Sequence, residues 1–238
     1  MSKNMVIGIM GGMGSYATVY FFHRLIDSFP AEKEWDRPRI IIDNYCTMPS
    51  RVRAILYNEK YDELADDLAN AIQNMIIGGA NKIILACNTS HVFLPAIFER
   101  IPNSQHLFVN IIDECGKAMF KDGITEAGLI ASEGTIQTGI YNEYFSKYNI
   151  TLQSPNENQY NKMREFIESV KQNKITNEVL IEFMNYIASF DTKCVIIGCT
   201  EFPVLYDKAL ELGLKTTKKI FDPLQCTIDS LVKEYYEM

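Results

Sequence analysis

Short runs rich in isoleucine, valine and leucine recur along the chain with longer amphipathic stretches between them, and this alternation restricts the fold more than any other feature. "MVIGIM", "RIIIDNY", "KIILACN", "LFVNII", "AGLIAS", "KCVIIGC" and "KKIFD" are the strand candidates. Runs with no polar face suit strands covered by helices on both sides, so the fold class is α/β with mostly parallel sheet. Between the runs, "YDELADDLANAIQNMII" places Leu64, Leu68, Ala71, Ile72 and Met75 three or four apart. It predicts a helix from Tyr61 to Ile77 that stops at Gly78 and Gly79.

The chain also echoes itself. "NMVIGIMGGMGSYATVYF" and "AGLIASEGTIQTGIYNEYF" both read strand, glycine turn, helix, and "KIILACNTSH" is matched further on by "KCVIIGCTEFP". The order of the two elements is the same in each half, which predicts two similar α/β lobes with a seam near residue 103, around "IPNSQH". The second echo is complete by about Glu211, so the closing strand and helix are expected to return to the first lobe. The expected division is 1–103 plus 213–238 for the first lobe and 104–212 for the second.

Composition narrows the partners. With 23 basic and 30 acidic residues the formal net charge is -7, and the basic residues are scattered. Nucleic acid is therefore not an expected partner. No apolar run approaches the roughly 20 residues of a membrane span, and "MSKNMVIGIMGG" reaches glycines before it builds an apolar signal segment. A cytoplasmic protein is expected. Six cysteines without a CxxC pair do not make a disulfide framework, and with three histidines, only His91 near a cysteine in sequence, no metal site is expected.

Three stretches carry chemistry. The first, "GMGSYA" from Gly12 to Ala17, satisfies GxGxxA after a strand and before a helix, a minimal dinucleotide-binding pattern with Asp43 as a conceivable ribose partner. The simpler reading is a turn through Gly12 and Met13 whose free N–H groups, with Ser15 as helix cap, face a carboxylate. The other two are Cys87 and Cys199. Cys46, Cys115, Cys194 and Cys226 read as small buried apolar residues. Cys87 and Cys199 instead end strands and precede runs able to open a helix, "NTSH" and "TEFP", the latter with Pro203 in a first-turn position. Exposed N–H groups and the positive end of a helix dipole there favour thiolate. The carboxyl ends of strands are also where α/β proteins bind ligands.

Two such thiols from two similar lobes suit removal of a proton from one side of a carbon and return of a proton to the other, without a cofactor. Asn88, Thr89 and Thr200 would supply donors where negative charge grows on an α-carboxylate, and the turn at Gly134 and Thr135 adds another. All of these also suit ordinary helix capping.

"IGIMGGMGSYAT", "NYCTMPSR", "ACNTSH", "GLIASEGT" and "GCTEFP", in this order, resemble the aspartate/glutamate racemase family, and within it the aspartate racemase branch, which is independent of pyridoxal phosphate. The resemblance covers nearly the whole chain. It implies two pseudo-symmetric lobes with the active site in the cleft between them, a homodimer, no cofactor, and catalytic cysteines at Cys87 and Cys199. It also implies that Arg51 grips a side-chain carboxylate, assisted by Lys171 in "MREFIESVK". The chain departs from the family pattern at Ser15, where proline is usual, and at Ser50, where an acid usually precedes the arginine. The expected function is interconversion of L- and D-aspartate. Alternatives are the same chemistry on glutamate or a broader range of amino acids, a nucleotide-binding oxidoreductase, and a non-catalytic binding protein for acidic amino acids.

Overall fold

The computed structural model describes residues 4–237. In chain order its regular elements are β1 (Val6–Gly11), α1 (Ser15–Ser28), β2 (Arg39–Asn44), α2 (Arg51–Tyr57), α3 (Tyr61–Ile77), β3 (Lys82–Leu85), α4 (Leu94–Arg100), α5 (Ile111–Lys121) and β4 (Glu126–Ile130). They continue with α6 (Glu133–Gln137), α7 (Ile140–Ser146), β5 (Thr151–Gln153), α8 (Tyr160–Lys171), α9 (Asn177–Ala188), β6 (Cys194–Ile197), α10 (Phe202–Glu211), β7 (Lys219–Phe221) and α11 (Pro223–Glu237). Two parallel sheets result, in the orders β2-β1-β3 and β5-β4-β6-β7. Among the described residues no helix is long and apolar enough to cross a membrane.

The apolar alternation within each strand explains how two sheets make one body. Ile7 and Ile9 of β1, Ile84 of β3, Ala127 and Leu129 of β4 and Ile196 of β6 all point into one central core. The same core takes Phe21 and Leu25 of α1, Ile112 and Met119 of α5, and Leu224, Ile228 and Leu231 of α11. The opposite face of the first sheet, through Met10, Ile83 and Leu85, packs on Leu64, Leu68 and Ile72 of α3. The opposite face of the second, through Ile130, Val195 and Ile197, packs on α8, α9 and α10. Each inner strand is thus buried on both faces, which is why these runs carry no polar side.

Four local expectations are corrected. "LFVNII" is not a strand: Phe108 makes one isolated bridge to Ile83, and Asn110 then caps α5, its Oδ1 accepting from the N–H groups of Ile112 and Asp113. The short β5 was hidden in "TLQ", whose single apolar residue gives no period. β7 does not return to the first sheet but pairs with β6, in the register Cys194 with Lys219 and Ile196 with Phe221. α11 behind it packs on both α1 and α5, so the end of the chain spans the seam rather than joining one side. Lastly, Ser15 is the first residue of α1 and Gly14 its cap; the Ser15 hydroxyl accepts from Asn44 Nδ2 at 3.0 Å.

Candidate active site in the cleft between the sheets

The carboxyl ends of β1, β3, β4 and β6 are followed by Gly12-Met13-Gly14, Cys87-Asn88-Thr89, Ser132-Glu133 and Cys199-Thr200-Glu201. The backbone carries each pair of strands one residue further, Ala86 N–H donating to Met10 O at 2.9 Å and Gly198 N–H to Ile130 O at 2.7 Å. These loops therefore leave the two sheets at matching heights. They open on a single cleft of about 860 Å³, part of it open to solvent, which both Cys87 and Cys199 line.

Buried polar contacts join the two halves beside it. Thr89 Oγ1 lies 2.9 Å from Ser132 Oγ and 2.8 Å from Thr135 Oγ1, and those two are 3.0 Å apart, a closed triangle of hydroxyls. Tyr141 on α7 donates to Asn88 Oδ1 at 2.7 Å. To reach Asn88 the phenol passes against Gly198, where a β-carbon would fall 3.0 Å from Tyr141 Oη and 2.8 Å from Leu129 Cδ1. The residue before Cys199 is glycine because the space belongs to that phenol.

Of the residues singled out from sequence, Met13, Arg51, Cys87, Asn88, Thr89, Lys171, Cys199 and Thr200 line the cleft; Gly12 and Thr135 stand behind it. Gly12 takes φ of +80°, and its N–H donates to Thr18 Oγ1 at 3.0 Å. That N–H is committed to the fold, not to a ligand. Thr135 is fully buried within the hydroxyl triangle. Arg51 is fixed by backbone: Nη1 donates to Pro49 O at 3.0 Å and Nη2 to Met13 O at 3.1 Å. Lys171 ends α8, with Nζ 3.8 Å from Glu168 Oε1.

The two cysteines differ. Cys199 Sγ donates to Glu201 Oε2 at 3.0 Å, and Thr200 Oγ1 donates to the same oxygen at 3.3 Å. Burial pushes the Cys199 thiol well up, the Glu201 carboxylate and its hydrogen bond push it further, and Lys171 opposes them. The thiolate expected here from sequence is thus disfavoured at Cys199, since burial, joined by a carboxylate two residues on, outweighs the helix start. Two residues on from Cys87 stands Thr89, turned into the hydroxyl triangle. His91 is buried, and its Nδ1–H donates to Cys87 O at 3.0 Å; burial lowers its pKa to about 4, so it is a neutral prop behind the loop. Of the four cysteines expected to be buried, Cys115 and Cys194 are, Cys226 is half-buried and Cys46 is exposed.

Several lining residues escaped the sequence reading. Arg164, Ile167 and Glu168 line the cleft from the same face of α8 as Lys171, and their spacing of seven, four and three residues before it in "MREFIESVK" was the available signal. Glu201 was visible in "GCTEFP" but reads as an ordinary first-turn acid. It is 2% exposed, and its Oε1 has no hydrogen-bond partner among the described residues. That oxygen would lie 2.7 Å from a β-carbon at Gly14. The glycine turn that matches a dinucleotide pattern therefore has a buried carboxylate against it, the wrong charge for a pyrophosphate neighbour.

Comparison with known proteins agrees with the arrangement. Residues 10–231 match the Asp/Glu/hydantoin racemase family. The chain belongs to that family. Among curated relatives it is 25% identical over 174 residues to a glutamate racemase of Carboxydothermus hydrogenoformans, covering 70% of this chain and 61% of that one. It is 24% identical over 240 residues to the broad specificity amino-acid racemase RacX of Bacillus subtilis, covering 97% of this chain and 98% of that one. Its fold is similar to that of the Picrophilus torridus aspartate racemase, with a TM-score of 0.78 and 24% identity over 98% of this chain and 94% of the other. In this Asp/Glu racemase family member both cysteines and Met13 of the glycine turn line one cleft, with the hydroxyl triangle that joins the two halves beside it.

Proposed function

We propose that this chain is a cofactor-independent racemase that interconverts L- and D-aspartate by proton transfer between Cys87 and Cys199. The observation that carries the reading is that a thiol from each half of the molecule lines the same cleft as Arg51. One sulfur, as thiolate, takes the α-proton and becomes a thiol; the other thiol gives its proton to the opposite face of the carbon and becomes the thiolate. The α-carbon is inverted, and the protein differs only in which sulfur is charged. The reverse reaction restores it.

Charges around the sulfurs set the terms of the transfer. Cys199 is held as a thiol by burial and by Glu201, which suits it to donate, and Lys171 is the cation that offsets the charge left on the sulfur. Charge growing on the substrate's α-carboxylate meets N–H groups at the helix starts after each cysteine, which have no partners within their own turns. Arg51 presents the remaining edge of its fork to the side-chain carboxylate, its orientation already fixed by Pro49 and Met13. The reading includes a cytoplasmic enzyme acting as a homodimer.

A second reading, the same chemistry on glutamate or a wider range of amino acids, is favoured by a further cation on the cleft wall, Arg164, beyond Arg51 and Lys171. A proton NMR time course of L-aspartate, D-aspartate and both glutamates in deuterated reducing buffer without cofactor tests both. Loss of the α-proton signal with appearance of the other enantiomer is expected, fastest for aspartate. Binding without exchange for every substrate would instead mark a non-catalytic binding protein.

A further inference from the structure

The cleft holds one cation that the reaction above leaves unused. Arg164 lines it from α8, seven residues before Lys171, so the two lie about 10 Å apart along one helix face. Its partner is a carboxylate: Arg164 Nη2 and Nε donate at 2.8 and 3.2 Å, both to Oε2 of Glu133. Converging on one oxygen, the fork does not make the two parallel bonds that a carboxylate allows it. The other terminal nitrogen has no hydrogen bond among the described residues. The Arg164 side chain is 58% exposed and that of Glu133 15%, so the pair is open to solvent from the arginine's side.

Arg51 is the contrast. It is tied to two backbone carbonyls, partners that an incoming anion does not displace, whereas the hold of Glu133 on Arg164 is the kind that a ligand carboxylate can replace with better geometry. The segments that carry Arg51 and Glu133 meet, because Val52 Cγ2 stands 3.4 Å from where a β-carbon at Gly134 would lie, and Glu133 is the adjacent residue. Resting on the racemase reading for its substrate class, we infer that Arg164 is an exchangeable second carboxylate site that admits dicarboxylic amino acids longer than aspartate. The distal carboxylate of such a substrate displaces Glu133 and takes the fork of Arg164, while aspartate is held by Arg51 and Lys171 and leaves the Arg164–Glu133 pair closed.

The test uses succinate and glutarate, dicarboxylates of the two lengths that have no α-amino centre to racemise, titrated calorimetrically into the parent protein, Arg164→Ala and Glu133→Gln. Arg164→Ala is expected to weaken glutarate by about tenfold or more, the loss of one charge-assisted pair, and succinate by less than about twofold. Glu133→Gln is expected to tighten glutarate, because it removes the competitor. In turnover, Arg164→Ala should raise KM for glutamate with kcat kept. Equal weakening of the two diacids, no weakening of either, or no glutarate binding by the parent would overturn the inference. Absence of racemisation would sink the proposed reaction alone, since the binding measurement does not involve proton transfer.

Discussion

Glu201 Oε2 accepts the Cys199 thiol at 3.0 Å, and among the described residues no carboxylate accepts from Cys87, where Thr89 is bonded instead to Ser132 and Thr135. Two halves that echo each other in sequence therefore give their cysteines different surroundings. Glu201→Gln removes a negative neighbour but keeps an acceptor of nearly the same shape. The Cys199 thiol should ionise at lower pH in this variant, read as a downward shift in the pH for half-maximal alkylation of the Cys199 peptide by iodoacetamide. An unchanged profile would show that burial alone sets the thiol.

The two-thiol transfer predicts a specific defect when one sulfur is lost. Cys87→Ser and Cys199→Ser should each slow racemisation by about 10²- to 10⁴-fold, the usual worth of a positioned acid or base. Each should retain exchange of the α-proton with solvent for one enantiomer only, and the enantiomer should differ between the two variants. Deuterium incorporation followed by chiral chromatography reads this directly. Parental racemisation by either variant would refute the mechanism.

Gly198→Ala forces a β-carbon to 2.8 Å from Leu129 and 3.0 Å from the Tyr141 hydroxyl. Both neighbours are buried in the central core, so they give way only by moving the seam. A loss of about 1 to 3 kcal/mol is expected, with Tm falling by roughly 2–4 °C for each. Tyr141→Phe in the same chain should recover part of it, at the expense of the bond to Asn88. Urea melts of the two variants check both.

His91 ties stability to pH. Its folded pKa of about 4 lies below the 6.5 of an exposed histidine, so between those values the unfolded chain binds a proton that the folded chain refuses. The stability that depends on neutral His91 is complete above pH 6.5 and is lost as pH falls towards 4. His91→Asn keeps a donor for Cys87 O and cannot titrate. The stability difference between parent and variant should shift against the parent by the order of 3 kcal/mol from pH 7 to pH 4. A constant difference in chemical denaturation across that range would contradict the assignment.

The elements that sequence revealed best are those whose burial leaves a pattern. β1, β3 and β6 are covered on both faces and read as unbroken apolar runs, and α3 shows its buried stripe at helical spacing. β7 was visible as a strand, but which sheet it joins depends on where the preceding helix sets it down, and no residue in "KKIFD" records that. At the site, Cys87 and Cys199 stood out because a reactive side chain follows an apolar run twice. Glu201 and Arg164 did not, because charges at a helix start or on a helix face are ordinary until the fold shows what they face. The same limit explains the thiol of Cys199: the helix start was legible, whereas the direction of the Glu201 side chain was not.

The placement of α11 sets an order of events in synthesis. Ile7, Phe21 and Leu25 are made roughly 200 residues before Leu224, Ile228 and Leu231, yet they share one core with them, and Phe29 meets Tyr235 edge-on with ring centroids 5.3 Å apart. The first sheet is thus complete in its hydrogen bonds long before the cover of its inner face is complete. A nascent chain carries part of that apolar face and of α1 open until α11 arrives, many seconds later at ordinary rates of elongation. Truncation within α11 should therefore be felt far away along the sequence, as aggregation through β1 and α1 rather than as fraying at the cut.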